Sequence, residues 1–114
     1  MPSRTQKATT GFAAEAGAVD YETVAASQTG QVLGGAGATG DYLKGLVVVP
    51  ATTSPGAIAV LDGATSITVF AGGASSVGNL IPFTIPINAV SVSGAWSVTT
   101  GANLSVIAVG TFSA

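Results

Sequence analysis

The segment Gly35-Ala-Gly-Ala-Thr-Gly40 has the glycine spacing of a dinucleotide-binding turn. In such a turn a strand leads in and a helix N-terminus leads out, so that backbone amides converge on a pyrophosphate. Here the preceding residues 28–35 are polar and Gly-rich, and Asp41-Tyr-Leu-Lys-Gly-Leu-Val-Val-Val-Pro50 follows, which reads as a strand. The pattern is therefore predicted to be a glycine-rich loop entering a sheet. It also fails as a phosphate-binding P-loop, because Asp41 and Tyr42 stand where Lys and Ser or Thr belong.

Paired carboxylates can act as general acid and base. Five carboxylates exist: Glu15, Asp20, Glu22, Asp41 and Asp62. Three lie in the N-terminal stretch, Asp41 opens a strand and Asp62 stands at a turn, so each has a structural reading. The chain has no His and no Cys. A Ser-His-Asp or Cys-His nucleophile, an ordinary zinc site and a disulfide framework are therefore excluded. No Asp/Asn cluster has the spacing of a calcium loop. The sequence predicts a protein that is not an enzyme and that uses no cofactor and no metal. Asn103-Leu-Ser105 has the form of a glycosylation acceptor. Arg4 and Lys7 are followed by no apolar segment of the kind a signal peptide carries, so synthesis and folding in the cytosol are expected.

Charge is the most unusual property of this 114-residue chain. Charged residues make up 7 % of it, against about 25 % in an ordinary soluble domain. The basic residues are Arg4, Lys7 and Lys44 alone, too few to neutralise a nucleic-acid backbone. No apolar run reaches the roughly 18 residues of a membrane-spanning helix, so neither nucleic acid nor membrane is expected as a partner. From Gly63 to Ala114 no side chain is charged. Interspersed charge is what keeps free molecules apart, so part of this surface is expected to be covered by protein.

Residues 1–38 read as an N-terminal arm and residues 39–114 as the folded domain. In the arm, Ala, Gly, Ser, Thr and Gln dominate, and Phe12, Val19, Tyr21, Val24, Val32 and Leu33 are thinly spread. Such a segment either orders against a partner or stays a tail, with one strand predicted near residues 21–25. From Asp41 onward, short β-branched runs alternate with turn clusters. Strands are predicted over residues 43–49, 57–61, 66–70, 79–87, 89–92, 95–99 and 104–112. Asp62-Gly63 between two such runs is a hairpin signal. The fold class is all-β: a compact antiparallel β-sandwich or small barrel of about seven strands with an extended N-terminal arm.

Two strands carry more detail. In Leu80-Ile-Pro-Phe-Thr-Ile-Pro-Ile87 the prolines share one parity and the large apolar residues the other, which suits a sheet edge that must not recruit a further strand. In Leu104-Ser-Val-Ile-Ala-Val-Gly-Thr-Phe112 both parities are apolar, which predicts burial on both faces. Core packing is the default reading for the sheet aromatics Tyr42, Phe70, Phe83, Trp96 and Phe112; Trp96, two residues past a tight turn, is also a candidate interface residue, with Phe12 and Tyr21.

The segments Val24-Ala-Ala-Ser-Gln-Thr-Gly-Gln-Val-Leu-Gly34, Gly40-Asp-Tyr-Leu43, Asp62-Gly63 with Ile67-Thr-Val-Phe70, Gly94-Ala-Trp-Ser-Val-Thr-Thr-Gly101 and Ser105-Val-Ile-Ala-Val-Gly110 resemble small bacteriophage structural proteins. Capsid decoration, or cement, proteins of this size are commonly β-sandwiches or barrels seated on the shell, often as trimers. The resemblance implies a virion protein that binds and stabilises the major capsid protein or another virion protein. It also implies a homo-oligomer, with a trimer preferred. The alternatives are a tail, fibre or head–tail connector component, and, more remotely, a carbohydrate-binding β-sandwich. The last would need exposed aromatics beside Asp, Asn or Arg, and residues 39–114 hold one Trp, no Arg and one Lys.

Overall fold

The computed structural model describes residues 19–114, and every regular element within them is a strand. In chain order these are β1 (Asp20–Val24), β2 (Gln31–Val32), β3 (Tyr42–Pro50), β4 (Ile58–Asp62), β5 (Thr65–Phe70), β6 (Phe83–Val90), β7 (Trp96–Thr100) and β8 (Leu104–Thr111). They form two antiparallel four-stranded sheets. The front sheet has the order β1-β8-β3-β6 and the back sheet β2-β7-β4-β5. The all-β expectation thus resolves as a sandwich.

Side-chain alternation decides which face of each strand is buried. Leu46 and Val48 of β3 and Val106 and Ala108 of β8 point inward from the front sheet, and Ile58, Val60 and Val98 meet them from the back sheet. Fully burying each of the Leu, Ile and Val side chains among them is worth about 1.5–3 kcal/mol. At the β5/β6 side the rings of Phe70 and Phe83 stand 5.6 Å apart and tilted by 54°, linking the edge strands of the two sheets.

The hairpin at Asp62-Gly63 forms as predicted. Gly63 and Ala64 are its two central residues, and Gly63 takes φ +59° while Ala64 does not, the pattern of a type II′ turn. β6 is an edge strand, as the double proline predicted, but it begins at Phe83 rather than at residue 79: Pro86 lies within it, whereas Pro82 precedes it outside the ladder. Phe83, Ile85 and Ile87 pack inward from it, and Thr84, Pro86 and Asn88 point out.

Three further expectations are corrected. Residues 89–92 do not form a strand of their own; Asn88, at φ +56°, is absorbed in an irregularity of β6 where the register with β3 shifts. Asn tolerates this left-handed backbone better than most residues, so the ladder runs on to Val90. Next, the sheets begin at Asp20 rather than at residue 39. β1 pairs with β8 over its whole length, β2 pairs with β7, and Val24 and Leu33 are fully buried. An edge strand needs little apolar material of its own, and each of these segments supplies one inward side chain. The remaining part of the predicted arm, residues 1–18, including Phe12, lies outside the described residues. The third correction concerns Trp96 and is given with the site below.

Candidate functional site

The outer face of the front sheet departs in composition from a solvated sheet. Antiparallel sheets that face water on one side usually alternate apolar-in with polar-out. On β3 and β8, the two central strands, the outward positions are Gly45, Val47 and Val49 beside Val109, Ile107 and Ser105. Val47, Val49, Ile107 and Val109 remain half-exposed. The register sets Tyr21 against Val109 and Thr23 against Ile107 on the β1 side, and Thr84 against Val47 and Pro86 against Gly45 on the β6 side. The burial predicted for both faces of β8 is complete only on the inner one; its outer apolar residues are partly exposed, and β3 shares this arrangement. The inner parity faces the core, whereas no other described element covers the outer one.

Gly45 shapes this face. A Cβ there would stand 2.8 Å from the Ile85 carbonyl oxygen and 3.4 Å from Pro86 Cα, so only glycine lets β6 approach so closely. It lies where the pairing of β3 with both neighbours shifts register. Beside it lies a shallow depression of about 320 Å³ bounded by Val47, Val109, Pro86 and Lys44. Lys44 is the one basic residue among the described residues and is exposed at this rim. Tyr42 donates its hydroxyl hydrogen bond to Asn88 Oδ1 at 3.2 Å across the same two strands.

The groups that looked like chemistry serve the fold. Asp41 accepts hydrogen bonds from the Ala38 amide at 3.1 Å, the Ser113 amide at 2.9 Å and the Ser113 hydroxyl at 2.7 Å. Burial pushes its carboxyl upward, but these three donors outweigh burial and hold it below its ordinary value. Asp62 accepts from the Val92 and Ser93 amides, and Glu22 from the Gln31 side chain and the Gly34 amide. The glycine-rich loop spends its own amides internally: Ala36 and Gly37 on the Ser113 carbonyl, Ala38 on Asp41, and Gly40 on Ser91. Among the described residues no group of three or more His, Cys, Asp or Glu is placed to hold a metal ion.

Of the candidate interface residues, Tyr21 is 72 % exposed at the edge of the apolar face, beside Val109. Trp96 is not an interface residue in this fold. It is 3 % exposed, belongs to the core cluster, and donates its indole N–H to the Asp41 carbonyl at 3.0 Å. As the first residue of β7 it shares the inward parity of Val98, so its proximity to a turn places it beneath the loop rather than on it. Sequence reasoning missed Val47 and Val49, although the unbroken run Leu46-Val-Val-Val49 carried the same two-sided signal as β8. Among known proteins, no family model, no curated protein and no solved structure matches this chain.

Proposed function

We propose that this chain is a non-catalytic structural protein of a bacteriophage particle, a decoration protein that seats the outer face of its front sheet on the capsid shell. The observation that carries this reading is the aliphatic cluster Val47, Val49, Ile107 and Val109 on that face, where a solvated sheet would carry charge. Tyr21 lies at one side of the cluster and Lys44 at its rim. The sequence resemblance to small phage structural proteins supplies the kind of assembly, and the major capsid protein is the partner it implies.

No catalytic group is needed for this role. A protein that binds only the assembled shell stabilises it by about 2.7 kcal/mol per site at a hundredfold excess over Kd. Covering the part of such a Val or Ile that remains exposed contributes up to about 1 kcal/mol, so modest contacts repeated over many sites suffice. The test is to add purified protein to shells that lack it, then follow co-sedimentation and the temperature of shell disruption. Binding at many sites with a rise in that temperature is expected. Failure to bind, or binding with no rise, refutes the reading; a few copies at a single vertex would move the protein to the connector.

A further inference from the structure

Among the described residues the sandwich has four edge strands, β1 and β6 in front and β2 and β5 behind. A free edge offers unpaired amides and carbonyls, and proteins usually blunt it with charge, proline, a bulge or brevity. β6 carries Pro86 and the irregularity at Asn88. β2 is two residues long, and β1 carries Asp20 and Glu22. β5, Thr65-Ser-Ile-Thr-Val-Phe70, has no charge and no proline, and its register shift against β4 lies beyond Thr68.

The backbone directions along β5 follow from its hairpin. A two-residue turn is closed by a hydrogen-bonded pair, here Asp62 and Thr65. The Gly63 amide bonds to Ala95 and the Ala57 carbonyl accepts from Gly101, so the odd-numbered positions around β4 face β7 and the even-numbered ones face β5. Thr65 and Ile67 therefore spend their backbone groups on β4, and Ser66 and Thr68 direct theirs outward. The Ile67 side chain shares the inward face of its partner Val60 yet is 45 % exposed, because the sheet stops there.

We propose that two copies of this chain pair antiparallel through β5 about a two-fold axis at Ile67. In this register the outward groups of Ser66 in one copy meet those of Thr68 in the other, twice, giving about four backbone hydrogen bonds. Ile67 meets its counterpart as a non-hydrogen-bonded pair, the closer of the two antiparallel spacings, and the half-exposed side chain is covered. On the outer face Ser stands against Thr, a favourable cross-strand pair. The occupant is a second copy because the outward backbone groups of Ser66 and Thr68, the half-exposed Ile67 and the Ser/Thr outer face are self-complementary about Ile67. With no charge in the strand, identical copies meet without repulsion, while a charged partner strand would find no counter-charge. The contact is isologous and closes at two copies, in place of the threefold assembly expected from the resemblance. It does not depend on the shell-binding reading.

The experiment uses the full chain in sedimentation velocity across a dilution series, with hydrogen exchange at Ser66 and Thr68. A species of twice the chain mass is expected, with both amides protected in it and exchanging freely on dilution. Thr68→Pro removes an outward donor, as Pro86 does in β6, and should give a folded monomer; Ser66→Lys should weaken pairing through like charge. The chain has no cysteine, so Ile67→Cys reports pairing directly. The Cα separation of about 4.5 Å in such a pair is within the roughly 4.4–6.8 Å a disulfide spans. Mild oxidation should cross-link Ile67→Cys far faster than a Val92→Cys control. If Thr68→Pro fails to fold, Ser66→Lys and Ile67→Cys decide. A monomeric wild type, a trimer, an oligomer that both edge variants leave intact, or cross-linking no faster than the control overturns the proposal. Protected Ser66 and Thr68 amides in a monomer overturn it too, and assign the edge to a segment of the same chain.

Discussion

Asp41 and Ser113, 72 residues apart, are joined twice: the Ser113 amide and hydroxyl donate to the two carboxylate oxygens at 2.9 and 2.7 Å. The Ser113 carbonyl in turn accepts from Ala36 and Gly37. One buried carboxylate thus fastens the segment after β8 to the glycine-rich loop, and the backbone oxygen of the same residue receives the Trp96 indole.

Asp41→Asn keeps the shape and loses the charge. Hydrogen bonds to a charged group contribute about 1.5–3 kcal/mol each, and Asn can satisfy only part of this donor set. A loss of about 2 kcal/mol is expected at neutral pH, measured by urea unfolding. The folded protein holds the Asp41 carboxyl below its ordinary value, so its contribution is complete above the ordinary carboxylate range and disappears as pH falls through the lower folded value. The stability gap between wild type and Asp41→Asn should therefore narrow on acidification. A gap that persists unchanged in acid would show that charge is not what Asp41 supplies.

Gly45→Ala tests the close approach of β3 and β6. The new methyl group would meet backbone, the Ile85 carbonyl oxygen at 2.8 Å, which cannot swing aside as a side chain could. Overpacking of this kind costs about 1–3 kcal/mol. The expected result is a lower unfolding midpoint in urea, and an unchanged midpoint would place Gly45 elsewhere than in this contact.

Trp96→Phe separates core from interface. It removes the indole donor to Asp41, although that carbonyl keeps the Ser91 amide at 2.9 Å. A loss of about 1–3 kcal/mol in stability is expected from the smaller ring and the lost bond. Attachment to shells should be unaltered at temperatures where the variant is folded. Weaker attachment with unaltered stability would return Trp96 to the surface.

The parts of the fold that could be read in the sequence are those where one strand carries its own signal. The hairpin of β4 and β5 announces itself through Asp62-Gly63, and Pro86 marks an edge because a missing donor is harmless only there. β1 was legible as a strand near residues 21–25 but not as part of the sandwich, and β2 carries almost no signal. Each sends one large side chain, Val24 or Leu33, into a core built by other strands, and the pairing partners β8 and β7 lie far away in sequence. For Trp96 the default core reading holds and the interface candidacy does not: distance from a turn says nothing about which face a strand residue takes, whereas the parity shared with Val98 does. The apolar outer face was half-legible, through Ile107 and Val109. Its other half, Val47 and Val49, was hidden in a run that also fits a strand buried on both sides.

Ile107→Lys is the sharpest test of that face. Ile107 sits between Thr23 of β1 and Val47 of β3, at the middle of the aliphatic cluster. It is only half-buried and points away from the core, so a lysine stem can lie along the sheet with its ammonium in water. The fold should therefore survive, with a change in unfolding free energy of about 1 kcal/mol or less. Docked against a partner, the same ammonium would have to leave water without a counter-charge, a cost of several kcal/mol. Attachment to shells should fall at least tenfold, the equivalent of about 1.4 kcal/mol. Val92→Lys, at an exposed position near the Asp62 carboxylate and off this cluster, should leave attachment unchanged. Co-sedimentation of both variants with shells, beside their urea unfolding curves, gives the comparison. If Ile107→Lys binds as the wild type does while remaining folded, the front sheet is not the seating surface. If both variants lose binding equally, the contact is with the molecule's charge and not with this face.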